Sequence, residues 1–271
     1  MSSDVEPGFA NVDAAGSPAA YSANLDRARS VAAIVENRLL VRDALALAAG
    51  DVVLDVGSGN GEEVCEIAAI VGGRGRVVGV DLSTALVEEA RRRAPTTLAN
   101  IEFVVGDGHA LPFEDGEFDS VRAERTLQHV DDPARVADEM VRVVRSGGRV
   151  AASEPDWGLL FIGSSDKEAS TIVADRVAAA VRNPRIGRNL ASLFRHAGLR
   201  DLCVVARIGL WETLAAAEER ARLTPTAHEA VAAGLFAFDR AERWLAELQD
   251  DDAAGSLVAG VCGFVVSGRK Q

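Results

Sequence analysis

Apolar positions follow two rhythms along this chain, and the rhythms alternate. Five short runs, "VVLDV" (52–56), "RVVGVD" (76–81), "IEFVV" (101–105), "FDSVRA" (118–123) and "RVAASE" (149–154), are rich in β-branched residues and short enough for buried strands. Helical spacing fills the intervals, and this alternation predicts an α/β fold around a mostly parallel sheet. The helix before the fifth run is the best marked. Asp131 or Asp132 caps it, Pro133 suits its first turn, Val136, Met140, Val143 and Val144 form its inward stripe, and "SGG" at 146–148 stops it. Upstream, residues 25–50 carry helical spacing and end in Gly50, which suits a C-cap. Residues 1–20 are mostly small, polar or turn-forming and are expected to be mobile unless they fold over a ligand. One domain is expected over residues 21–271.

An open parallel sheet binds its ligand at the carboxyl ends of its strands, and "LDVGSGNG" (54–61) lies at the first of those ends. The dinucleotide fingerprint fails there: counted from Gly57, the third small position is taken by Glu62. Asp55 before the loop and Glu62 and Glu63 after it oppose a pyrophosphate, so a cationic or zwitterionic ligand fits better. A tight strand-to-helix turn alone would also call for these glycines. Asp81 ends the second run, where a carboxylate can accept both hydroxyls of a ribose or cap a helix beside Ser83. Asp107 and Gly108 follow the third, offering a carboxylate to an exocyclic amine next to apolar Leu111, Pro112 and Phe113. Any one of these acids is ordinary; three of them, after three consecutive strands at one sheet edge, describe a nucleoside-type site.

Composition narrows the partners. The 271 residues are 48% hydrophobic, ample for a buried core. No stretch approaches the roughly 18 apolar residues of a membrane span, and the first residues lack a basic and an apolar signal region, so no membrane association and a cytoplasmic location are expected. A net charge of −12 repels phosphate backbones, which disfavours nucleic acid. Cys65, Cys203 and Cys262 are widely spaced and suggest neither a disulfide framework nor a metal cluster.

Taken together, "VVLDVGSGNG", "VVGVDLS", "GDGHALPF", "FDSVRAERTLQHVDDP" and "RSGGRVAASEP" resemble the class I S-adenosylmethionine-dependent methyltransferases. The resemblance is to their small-molecule branch, related to ubiquinone/menaquinone and natural-product enzymes. It covers roughly residues 35–155, and "LVAGVCGFVVSGRK" looks like the family's last, antiparallel strand. It implies a Rossmann-like sheet with helices on both faces and S-adenosyl-L-methionine as cofactor. By position, Asp55 and the loop of Gly57, Gly59 and Gly61 would meet the methionyl part, Asp81 the ribose, Leu82 the adenine face, and Asp107 with Gly108 the adenine amine. Glu124 falls at the methionyl end, where the branch commonly has a small residue. It can meet a positive group of the cofactor, meet a basic substrate, or pair with Arg122 or Arg125.

The implied reaction is methyl transfer to oxygen, nitrogen or carbon of a small organic acceptor, in bacterial secondary or cofactor metabolism. It needs positioning and exclusion of water, and a base only where the acceptor loses a proton. Among His109, His129, His196 and His228, His129 ranks first as that base, with a packed histidine as the plain alternative. Tyr21 and Trp157 are expected in the substrate pocket, although Trp157 can equally be a buried turn residue. Residues 156–187 and 212–254 are insertion-sized and read as helical caps, with helix starts at Thr224 and Asp239. Their amphipathic faces can equally form a homodimer surface. Two other readings stay open: a methyltransferase-like fold diverted to cyclisation, and a non-catalytic cofactor-binding subunit. "RAER" replaces the "NPPY" associated with methylation of amide or adenine nitrogens, which weighs against protein and nucleic-acid substrates.

Overall fold

The computed structural model describes residues 12–13, 18–28 and 31–271. Helices α1 (Pro18–Ala28) and α2 (Ala32–Leu45) stand where one helix through Gly50 was expected. Val31 takes an extended backbone that opens α2, and Ala46, at φ 50°, closes it before Gly50 is reached. Then come β1 (Val52–Val56), α3 (Glu62–Val71), β2 (Arg76–Asp81), α4 (Thr84–Arg93), β3 (Ile101–Val105) and β4 (Phe118–Glu124). The chain continues through α5 (Pro133–Val143), β5 (Val144–Ile162), α6 (Lys167–Ala179), α7 (Ile186–His196) and β6 (Leu199–Trp211), and then α8 (Leu214–Ala221), α9 (Leu223–Ala232), α10 (Phe238–Ala254) and β7 (Ala259–Lys270).

The strands form one sheet in the order β3-β2-β1-β4-β5-β7-β6, with β7 antiparallel to both neighbours and the other pairings parallel. From β1 the chain runs outward through β2 and β3, then crosses back to β4 on the other side of β1. That reversal leaves a crevice above the ends of β1 and β4, where this class of sheet holds ligands.

Local chemistry explains the main boundaries. Ser83 caps α4 by accepting the Leu86 N–H at 3.1 Å, and Asp132 caps α5 by accepting from Ala134 and Arg135, each at 3.1 Å. Helix α5 stops at Val143, earlier than "SGG". Val143 and Val144 are both fully buried, and Val144 already pairs with Phe118, so residues 145–148 become a register shift at the start of β5. That strand runs on to Ile162, well past the expected 154, because its far half pairs with β7.

One core packs Leu54, Phe118, Met140 and Phe194 on one face of the sheet, and a second packs Val64, Ile67 and Phe103 on the other. A third gathers α6, α8, α9 and α10 around Trp157, Trp211 and Trp244, with the Trp244 indole donating to Ser170 Oγ at 3.1 Å. Helices start within one residue of Thr224 and Asp239, as expected, although neither side chain caps: α9 begins at Leu223, with the Thr224 N–H donating to Glu218 at 2.9 Å, and α10 begins at Phe238 without a side-chain cap. Within residues 1–20, expected to be mobile unless folded over a ligand, positions 12, 13 and 18–20 are described. Val12 is buried, and Asp13 accepts the Ser83 hydroxyl at 2.5 Å and the Thr84 N–H at 2.9 Å, sitting on the start of α4. For residues 1–11 and 14–17 that expectation lies outside the described residues. No helix among the described residues is long and apolar enough to cross a membrane, and they hold no metal-binding group of three or more His, Cys, Asp or Glu.

Candidate cofactor and acceptor site

The crevice at the reversal is a cleft of about 250 Å³. Its floor is the turn from β1 to α3, whose Gly57 and Ser58 N–H groups donate to Val80 O at 2.8 and 3.0 Å. Gly57 has φ 76°, and a Cβ there would fall 2.2 Å from Thr126 Oγ1, so both the backbone and the space demand glycine. Gly61 is different: it lies outside the cleft wall, and its missing side chain makes room for the Phe103 ring. Asp81 at the end of β2 accepts the Gly59 N–H at 2.8 Å and the Ser83 N–H at 2.9 Å. Burial pushes its carboxyl up, and those N–H groups oppose the rise.

A buried ion network underlies the methionyl end. Arg122, on β4 and 1% exposed, donates to Asp55 at 3.1 Å and to Glu124 at 2.6 Å, and lies 3.6 Å from Glu63. From α2, Arg38 reaches Glu124 at 3.1 Å and Glu62 at 3.2 Å, while Arg42 holds Glu63 at 2.6 Å. Burial raises Asp55 to about 6 despite Arg122 beside it. Counting every wall residue, seven carboxylates face Arg38, Arg122 and Arg125. Such a cleft favours a ligand with positive charge. Glu124 therefore takes the ion-pair alternative, to Arg122 as well as to Arg38, which sequence reasoning did not reach.

At the opposite end Leu82 is 54% exposed and lines the cleft with Asp107 and Gly108. The Asp107 carboxylate accepts the His109 N–H at 2.9 Å and lies 2.6 Å from His109 Nδ1, and His109 Nε2 accepts the Asp132 N–H at 3.2 Å. His109 thereby fixes the loop after β3 to the start of α5. Leu25 of α1 lies over Gly59 and closes the top.

His129 is in the cleft wall, and its environment disfavours a proton on the ring. Burial, with Arg125 and Arg182 nearby, lowers it to about 3, leaving a neutral ring with little affinity for a proton. His196 and His228 lie on α7 and α9, away from the cleft. Tyr21 lines neither this cleft nor the second cavity described below: it is buried with Val12 and Leu86 of α4. Trp157 lines a second, smaller cavity of about 90 Å³, which shares Glu124 and Arg125 with the first. Sequence reasoning missed Arg38, Asn37, Arg207, Trp211 and Arg220. Asn37 and Arg38 sit on the helix before the glycine loop and the other three far along the chain from it, with no local signal to mark any of them.

A methyltransferase domain family profile matches residues 54–152. Over 243 residues the chain is 39% identical to an uncharacterized 37.1 kDa protein in transposon TN4556 of Streptomyces fradiae, covering 89% of this chain and 69% of that one. It is 38% identical over 118 residues to the demethylmenaquinone methyltransferase of Beutenbergia cavernae, covering 42% of this chain and 46% of the relative, so it spans less than half of that protein's length. The YcgJ protein of Bacillus subtilis has the same fold, with a TM-score of 0.60 at 17% identity over 88% of this chain and 99% of that one. With the strand order, the glycine turn and the acids after β1, β2 and β3, these matches establish that the chain belongs to the class I S-adenosylmethionine-dependent methyltransferases.

Proposed function

We propose that this protein methylates a small organic acceptor at oxygen, nitrogen or carbon, using S-adenosylmethionine. The observation that carries this reading is the charge of the main cleft, a carboxylate-rich wall around a glycine cradle at the switch point of the sheet. When bound, the cofactor supplies an electrophilic methyl on a sulfonium; the acceptor's electron pair forms the new bond, the S–C pair stays on sulfur, and an O–H, N–H or C–H acceptor releases a proton to solvent.

The residues fit that group. The cradle of Gly57 to Gly59, which a Cβ would fill, takes the methionyl chain. Arg38 offers positive charge to the methionyl carboxylate, and Asp55, Glu62 and Glu63 offer negative charge to its ammonium. Asp81 accepts the ribose hydroxyls from a position its two N–H bonds already fix. Leu82 covers the adenine face, and Asp107 and Gly108 meet its amine edge. Leu25 excludes water from above. The wall holds no strong proton acceptor at the position of His129, so the chain's work is to hold and orient.

Calorimetric titration with S-adenosylmethionine and S-adenosylhomocysteine tests this reading. Wild type is expected to bind both, and Asp81→Ala to lose at least tenfold, about 1.4 kcal/mol. A folded wild-type protein that binds neither would sink the proposal.

A further inference from the structure

We infer that the second cavity is the acceptor subsite, and that it selects a small planar acceptor bearing a carboxylate. The role of the subsite rests on the methyl-transfer reading; its preference for anions does not. The cavity lies between the start of α2, the ends of β5, β6 and β7, and α8. Its wall meets the wall of the cofactor cleft at Glu124 and Arg125, so the contents of the two can approach each other there.

Its chemistry is the reverse of the cleft's. Three guanidiniums, Arg125, Arg207 and Arg220, face one carboxylate, Glu124, between the indoles of Trp157 and Trp211. None of the three is unpartnered: Arg207 is tied to Glu36, and Arg125 and Arg220 make interactions of their own. Guanidinium groups bind carboxylates through paired N–H bonds, and indole faces take flat rings. The Trp157 N–H is already spent on Gln128 Oε1 at 2.8 Å, so its indole offers the cavity apolar surface. Asn37 Oδ1, buried without a partner among the described residues, is in an amide of the same wall, available to an acceptor O–H or N–H. The opposite fields then orient the ligand. Its carboxylate is drawn to Arg207 and Arg220 and repelled by the acid-lined cleft, which turns the other end of the ring toward Glu124 and the cofactor.

The dividing turn is built, not incidental. Arg125 holds φ 52°, a costly conformation outside glycine. Its N–H donates to Ser153 O at 2.9 Å, its carbonyl accepts from Gln128 Nε2 at 3.3 Å, and Glu154 accepts the next two N–H groups, from Thr126 and Leu127, at 2.8 and 2.7 Å. Strain kept in place by fully buried Gln128 and Glu154 sits where the cavities meet.

Benzoate and its neutral isostere benzamide probe this directly through tryptophan emission: all three tryptophans pack in the helical core, and of these Trp157 and Trp211 also line the cavity. Benzoate is expected to bind at least tenfold tighter than benzamide. In Arg220→Gln and Arg207→Gln that preference should fall to within about threefold, and in Arg207→Lys it should survive. Equal binding of the two probes, no benzoate binding to wild type, or a preference that persists in both glutamine variants overturns the inference. S-adenosylhomocysteine titrations of the same samples separate the two claims. Loss of the anion preference with intact cofactor binding refutes only the subsite; an intact preference without cofactor binding supports the anion site and refutes methyl transfer.

Discussion

The two cavities share a wall and oppose each other in charge. In the larger, carboxylates outnumber guanidiniums; in the smaller, the balance is inverted, and Glu124 and Arg125 stand at the boundary. The contrast teaches that one turn can separate two electrostatic environments, provided buried groups hold it still. Glu154, Gln128 and Arg122 do that holding.

The hardest blow to this division is expected from Arg122→Met. It strips Asp55, Glu63 and Glu124 of the guanidinium they share and should cost about 3–5 kcal/mol in urea unfolding. A cost below 1 kcal/mol would mean that the network is not what holds the boundary. Next is Gly57→Ala, which adds a Cβ against Thr126 at a positive φ; strain of roughly 1–2 kcal/mol and a distorted floor should weaken S-adenosylhomocysteine binding at least tenfold in calorimetry. The emission response to benzoate should persist in that variant. Its disappearance would show that the cavities are not separable.

A smaller effect concerns pH. Burial raises the Glu154 carboxyl from 4.5 to about 8, so between those values the folded protein keeps a proton that the unfolded chain has lost. Stability therefore falls as pH rises through that window and levels off above about 8. Glu154→Gln retains an accepting oxygen for Thr126 and Leu127 and should flatten the decline between pH 5.5 and 8 in urea titrations. Parallel wild-type and variant curves would contradict it. Smallest of all, Leu82→Ala removes half-exposed surface and should change cofactor affinity less than about threefold.

What the sequence made legible is what local chemistry encodes. The first five strands announce themselves as β-branched runs, and the glycine turn with Asp55, Asp81 and Asp107 follows from strand ends placed side by side. Long-range packing hid the rest. Arg38 reads as the polar face of an amphipathic helix and becomes part of a site only because α2 lies across β4. Arg207 and Trp211 come from β6 and Arg220 from α8, and they meet Asn37 of α2 only in the folded chain. Tyr21 illustrates the converse: an aromatic expected over the ligand is buried against Val12 and Leu86. Glycines look alike in sequence, so nothing separated Gly57, which faces the cleft, from Gly61, which faces Phe103.

The position of β7 gives the two cavities different birthdays. Every wall residue of the cofactor cleft lies between Leu25 and Val136, so all of them have left the ribosome early in synthesis. The second cavity waits for Val261 and Gly263, because β6 reaches the sheet only through β7, which comes later in the chain and slips in between β5 and β6. That long-range closure is slow relative to local contacts. A nascent chain can thus present a finished floor for the cofactor while the chamber beside it is still open.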